Sequence, residues 1–204
     1  FSLINSDTAN HDFHFSSDIL IEPTTENTLL SDDFNTGASA NFFDSEGLWT
    51  IGTVDDANGT YLGYPIDSDG SFFFWNDGAD PYYYNYTSTS PILQSQAIPY
   101  DGSGPVFFML DMYFPQPYGG CSSGGSYSED ASIVVSTDNG ANWTVVDSTF
   151  RTAVTWSGYY AYDNTEANWH TLMYNITSYI EPGIFNVGIH YDDCGGNWSS
   201  GIGV

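Results

Sequence analysis

Basic residues are almost missing from this chain: one Lys+Arg stands against 26 Asp+Glu in 204 residues, for a formal charge of −25. Arg151 is that single cation. Nucleic acid is excluded as a partner, because nothing is available to neutralise phosphates, and anionic membrane surfaces are excluded on the same ground. Such a surplus of one sign repels itself in a compact state unless salt or bound cations screen it. Two settings follow and are compatible: a high-salt habitat, or divalent cations held in acidic loops. Long apolar runs are also absent, and none approaches the roughly 18–20 residues that span a bilayer. This predicts no membrane insertion.

Several catalytic signatures are missing too. There is no H-E-x-x-H, no nucleophile elbow and no Gly-rich phosphate cradle. The one arginine leaves little to clamp an anionic substrate. His11 and His14 flank Asp12 as a weak metal cue, while His170 and His190 are isolated. Acid pairs are too common in so acidic a chain for a glycosidase-like couple to stand out. The expectation is a protein that is not an enzyme.

Cysteine is scarce. Cys121 and Cys194 each sit in a Gly/Ser-rich or Gly-rich loop (Gly-Gly-Cys-Ser-Ser-Gly-Gly and Asp-Asp-Cys-Gly-Gly). A disulfide between them, which suits an oxidising compartment, is the preferred reading, with two free thiols as the alternative. Closing a loop of that length contributes about 4 kcal/mol in the chain-entropy picture. Five N-x-[ST] sequons, at Asn58, Asn85, Asn142, Asn175 and Asn197, agree with an extracellular, cell-surface location and mark candidate glycosylation sites. The chain opens on Phe1 rather than Met, which implies a removed leader or an excised piece.

What the chain does have is aromatics, at 18%, together with many Gly, Ser, Asn, Asp and Thr. That mixture favours strands joined by turns. Candidate strands recur at Asp12–Phe15, Asp18–Glu22, Thr28–Phe34, Leu48–Ile51, Ser71–Trp75, Ile92–Ile98, Val106–Phe114, Ala131–Thr137, Trp143–Ser148, Trp169–Ile176 and Ile184–Tyr191. In the last, Phe185, Val187, Ile189 and Tyr191 share one face. Val106–Phe114 is nearly all apolar and reads as a central strand covered on both faces. Useful helical periodicity is lacking, though Ile176–Ile180 can form one turn. The pattern predicts an all-β antiparallel sandwich.

Between Ile133-Val134-Val135 and Trp143 lies Ser136-Thr137-Asp138-Asn139-Gly140-Ala141-Asn142, a strand, a tight turn and a second strand. Its S-x-D-x-G-x-x-W spacing (Ser136, Asp138, Gly140, Trp143) resembles an Asp-box, a structural turn of secreted β-proteins in which the aspartate braces the hairpin. From Leu29 onward the order of signals resembles secreted bacterial jelly-roll modules of the MAM-like and cleaved-adhesin (gingipain haemagglutinin-like) kind. The matching pieces are Ser31-Asp32-Asp33-Phe34, Leu48-Trp49-Thr50-Ile51, Ser90-Pro91-Ile92-Leu93, Val106–Phe114, the Asp-box hairpin, Trp169 with Asn175–Tyr179, and Phe185–Asp193 leading to Gly201-Ile202-Gly203-Val204. The resemblance spans about 85% of the chain, from Leu29 to Val204. The resemblance implies a jelly roll over 29–204 preceded by a strand-like extension at 1–28. It also implies a short final strand at Val204, and calcium held by Asp33 with Asp192 or Asp193.

Asp67-Ser68-Asp69-Gly70-Ser71 resembles the opening of a calcium loop, with Asp67 and Asp69 as the candidate ligands, but the rest of an EF-hand is missing. Solvated acidic turns are the alternative at both places. The strand-like alternations of residues 11–22 suit donation of a strand to a neighbouring molecule, or pairing within their own domain. Two aromatic stretches, Asp67–Tyr86 and Phe150–Asn168, offer Trp75, Tyr82, Tyr84 and Trp156, with Trp198 near the end, as sugar-stacking candidates. Capping the open ends of the sandwich is the other reading of those rings. The functional expectation is therefore a non-catalytic structural or adhesive surface protein that assembles with itself, using strand complementation and calcium. A carbohydrate-binding adhesin module is the alternative.

Overall fold

A computed structural model of the chain describes residues 27–53, 56, 70–75, 91–114, 121, 130–150, 169–194 and 202–204. The described residues form ten strands and one 3-10 turn at Thr177–Tyr179. The strands are β1 (Phe42–Phe43), β2 (Trp49–Gly52), β3 (Phe72–Trp75), β4 (Ile92–Ser95), β5 (Ile98–Tyr100), β6 (Phe107–Met112), β7 (Asp130–Ser136), β8 (Thr144–Asp147), β9 (His170–Asn175) and β10 (Gly183–Asp192). All their pairings are antiparallel.

The first sheet runs β1-β4-β10-β7-β8, with β5 also paired to β10. β10 is its axis: β7 lies along one edge from Asn186 to Asp192, while β5 and then β4 share the other. The second layer holds two ladders, β2 with β3 and β6 with β9. Ile202–Val204 joins them. Val204 exchanges both backbone hydrogen bonds with Phe73 (2.9 and 2.8 Å), and Gly203 does the same with Tyr113 (both 2.9 Å). The two layers pack face to face as an antiparallel β-sandwich of the jelly-roll type. Leu93, Ile133, Ile189 and Tyr191 of the first sheet meet Trp49, Phe73, Leu110, Met112, Phe114 and Ile202 of the second in one apolar core.

Period-2 patterning explains most of this. Phe185, Val187, Ile189 and Tyr191 are all buried, as their shared face requires. The opposite face of β10 is covered as well. The Trp143 ring lies across Gly188, so that a Cβ there would stand 3.2 Å from it. Three expectations need correction. Thr28–Phe34 is not a strand; it is irregular, with an aspartate-braced turn at its end in which the Asp32 carboxylate accepts from the Phe34 N–H at 3.0 Å. Ile92–Ile98 is two strands rather than one, broken at Gln96–Ala97. β6 is not covered on both faces: it alternates, with Phe107 and Met109 about half exposed or more (49% and 60%) and Met112 buried. Its outward positions have no layer above them among the described residues.

The Asp-box hairpin is built as its spacing requires. Asn139 and Gly140 take positive φ (60° and 83°), which small polar residues and glycine tolerate. Ser136 Oγ donates to Asp138 Oδ1 (2.8 Å) and accepts from the Gly140 N–H (2.8 Å). Asp138 Oδ1 also accepts from the Asn142 N–H (2.8 Å), and Oδ2 accepts from Asn142 Nδ2 (2.6 Å). These bonds from Asn142 and Ser136 hold the Asp138 carboxyl below its ordinary range.

Candidate functional site

The described carboxylates are largely turn braces. Asp44 accepts from the Glu46, Leu48 and Trp49 N–H groups, Asp101 from Ser103, and Asp147 from Thr149. Such bonds favour the ionised form and hold Asp33, Asp56 and Asp101 low. Desolvation works against this at Asp147, but its bonds from Thr149 and Tyr174 outweigh it. Its partner Tyr174 is pushed well up, by burial first and by the Asp147 charge next.

The sequence-predicted residues fall into four groups. Asp67, Asp69, Tyr82, Tyr84, Trp156, Trp198, Asn58, Asn85 and Asn197 lie outside the described residues, as does the extension up to residue 26; for Trp75 only the backbone is described. Cys121 and Cys194 form a disulfide with Cα atoms 5.1 Å apart. Asp33 braces Asn35 (3.2 Å) at an exposed turn, Asp193 is buried at 2% exposure, and Asp192 stands beside the disulfide. Among the described residues the one close group of potential ligands is Cys121, Asp192 and Cys194, and its two sulfurs are bonded to each other. Of the described sequons, Asn142 holds Asp138 in the Asp-box, and Asn175 accepts from Thr177 Oγ1 (2.7 Å) beyond β9.

The feature that remains is a groove of about 2130 Å³ between β6 and the Asn27–Phe34 segment. Drug-sized ligand sites run about 300–1,000 Å³, so a small molecule would leave most of it unfilled. Beneath it lie Leu93, Phe185, Val187 and Ile189 of the first sheet, all buried in the core rather than open to the groove. Its rims carry exposed Leu29, Phe107 and Met109.

Backbone geometry defines the β6 rim. In an antiparallel strand the N–H and C=O of successive residues point to opposite edges. Val106 accepts from the Ile176 N–H on the β9 side, and Tyr113 exchanges its bonds with Gly203 on the other side. Phe108, Leu110 and Met112 therefore serve β9, while Phe107, Met109 and Asp111 present their N–H and C=O groups to the groove. No strand among the described residues pairs with those six groups. Sequence reasoning missed this edge because the apolar run suggested a fully enclosed strand. The signal that could have located it was Asp111, set between Leu110 and Met112.

No protein-family model matches the chain, and no curated protein matches it. Among solved structures it is similar to one described as the structure of TmCBM61 in complex with beta-1,4-galactotriose. The TM-score is 0.46 at 13% sequence identity, over 87% of this chain and 93% of that one.

Proposed function

We propose that this chain is a non-catalytic extracellular structural or adhesive module that works by taking an extended polypeptide strand into the groove beside β6, with a second copy of the chain as the partner at a cell surface. The observation that carries this reading is the row of groove-facing N–H and C=O groups at Phe107, Met109 and Asp111 beside the exposed apolar side chains of Leu29, Phe107 and Met109. A strand added there gains main-chain hydrogen bonds from the edge and covers those side chains, which is the physics of β-augmentation. Order of the pieces, disulfide and acidic surface agree with a secreted adhesin-like jelly roll. A charge of −25 on each copy requires counter-ions for association, and calcium is the one this reading assigns.

Sedimentation and electron microscopy of the full chain, over a concentration series with and without calcium, test it. Met109→Pro removes one groove-facing N–H without touching the β9 ladder and is expected to abolish assemblies. Val145→Ser, on the exposed surface of β8 and not part of the groove, leaves them intact. Assemblies of equal size in Met109→Pro, or none under any condition, would overturn the proposal. A glycan-array signal lost in Trp156→Ala or Trp198→Ala would transfer the function to the carbohydrate-binding alternative.

A further inference from the structure

The sequon Asn175-Ile176-Thr177 closes β9, and its geometry is fixed. Asn175 Oδ1 accepts from the Thr177 N–H (3.1 Å) and from Thr177 Oγ1 (2.7 Å). The Thr177 hydroxyl accepts in turn from the Val106 N–H (2.8 Å), which ties the sequon to the residue before β6. With Oδ1 held by Thr177, the Nδ2 end of this exposed carboxamide makes no hydrogen bond among the described residues. Asn142, in the other described sequon, differs: its Nδ2 donates to Asp138 Oδ2 (2.6 Å), a bond that braces the hairpin.

The surface beside Asn175 is apolar. In the β6–β9 ladder Phe107 stands opposite Asn175, Met109 opposite Met173 and Asp111 opposite Thr171. These are the pairs without ladder bonds, whose Cα atoms lie about 4.5 Å apart and whose side chains share one face. The Thr171 hydroxyl donates to Asp111 across that face (2.5 Å). Phe107, Met109 and Met173 on it are 49%, 60% and 62% exposed, three of the seven large apolar side chains left exposed among the described residues. A contiguous patch of this kind calls for a covering group.

We propose that Asn175 carries an N-linked saccharide, and that this saccharide covers the face of Phe107, Met109 and Met173. In the transfer, Asn175 Nδ2 attacks the anomeric carbon of a sugar held as a phosphate ester. The N–C bond forms as the C–O bond to phosphate breaks. The phosphate leaves with the bonding electrons, and Nδ2 gives one proton to the transferase. The substituted carboxamide keeps Oδ1, so both bonds from Thr177 survive. On Asn142 the same group has to be fitted against the Asp138 carboxylate, which makes Asn175 the favoured site of the two.

The first sugar sits over the Phe107 ring, because sugar C–H bonds carry partial positive charge and the face of an aromatic ring is negative. The methionine pair lies about 7 Å further along the ladder, under the sugars that follow, and flexible thioethers adapt to an irregular cover. The saccharide lies above the sheet. It leaves the N–H and C=O groups of the β6 edge open to a strand in the sheet plane, so it is independent of the strand-acceptor reading.

The three methionines of the chain make the test internal, because Met112 is fully buried. The full chain is prepared twice, from a secreting cell that attaches N-linked saccharides and from one that does not. Peptide mass spectrometry is expected to find a saccharide on Asn175 in the first preparation. Dilute peroxide, which converts exposed methionine to its sulfoxide, is then expected to oxidise Met109 and Met173 several-fold more slowly in the glycosylated chain. Met112 stays slow in both and reports that the sandwich is folded. A bare Asn175 in the glycosylating cell would overturn the proposal. Equal oxidation of Met109 and Met173 in the two preparations would also overturn it, since the saccharide then points away from the face. The groove reading fails separately, through Met109→Pro having no effect on assembly.

Discussion

In the first sheet, β10 is paired along both edges and each end of the β7–β8 connection is tied down by a named side chain. In the second, β6 is paired along one edge and meets the chain's end only at Tyr113. Both layers are built from the same aromatic and β-branched residues, so propensity does not separate them. What separates them is the source of the neighbouring strand. β7 and β8 are joined by a short turn whose chemistry is written in eight consecutive residues. The edge of β6 from Phe107 to Asp111 has no partner strand among the described residues. Local signals close one sheet and do not close the other.

The largest test of this contrast uses the disulfide, which sits at the β7–β10 end of the first sheet, beside Asp130 and Asp192. Cys121→Ala/Cys194→Ala should cost about 4 kcal/mol in denaturant unfolding, the entropy of a loop of that size. A loss under about 1 kcal/mol would mean that the strand pairings of the first sheet hold without it. Next come paired core truncations. Ile189→Ala, on a strand bonded along both edges and fully buried, should cost about 3–4 kcal/mol. Leu110→Ala, beside the groove and 9% exposed, should cost about 2 kcal/mol, toward the lower end of that range. Equal costs would show that the groove side is as tightly packed as the centre of the first sheet, which breaks the comparison.

Ser136→Ala sharpens it from the other side. The buried hydroxyl accepts from Gly140 and donates to Asp138, and its loss removes the partner of the half-buried Gly140 N–H at about 1 kcal/mol. Amide exchange should quicken in β7–β8 and not in β6–β9. The smallest effect is a pH slope. Burial holds the His190 imidazole below its ordinary 6.5 against the pull of Asp192, Asp130 and Glu46. As pH falls through 6.5, the unfolded chain takes up a proton there that the folded chain resists, so stability falls with it. His190→Gln should flatten the melting temperature between pH 6.5 and 5. An unchanged slope would place the titration elsewhere.

The sequence made the Asp-box, the faces of β10 and the two-sheet class legible, because each depends on residues within a few positions or on strict alternation. The disulfide was legible from two cysteines in an otherwise thiol-free chain. Thr28–Phe34 misled because its apolar residues do pack inward while its backbone finds no ladder. Ile92–Ile98 hid a break, because Gln96 and Ala97 carry no strong turn signal. The exposed face of β6 was illegible for a different reason: Phe107 and Met109 look like core residues, and only the arrangement of distant segments leaves them outside.

The central position of β10 also bears on how the chain can fold. Its partners β4, β5 and β7 are all made before it, yet none of them can complete its place in the first sheet until residues 183–192 exist. Pairings that span up to about half the chain carry high loop-closure entropy, and sheets of this kind form slowly. During synthesis, strands β4 and β7 therefore wait with open edges for the last long strand to arrive.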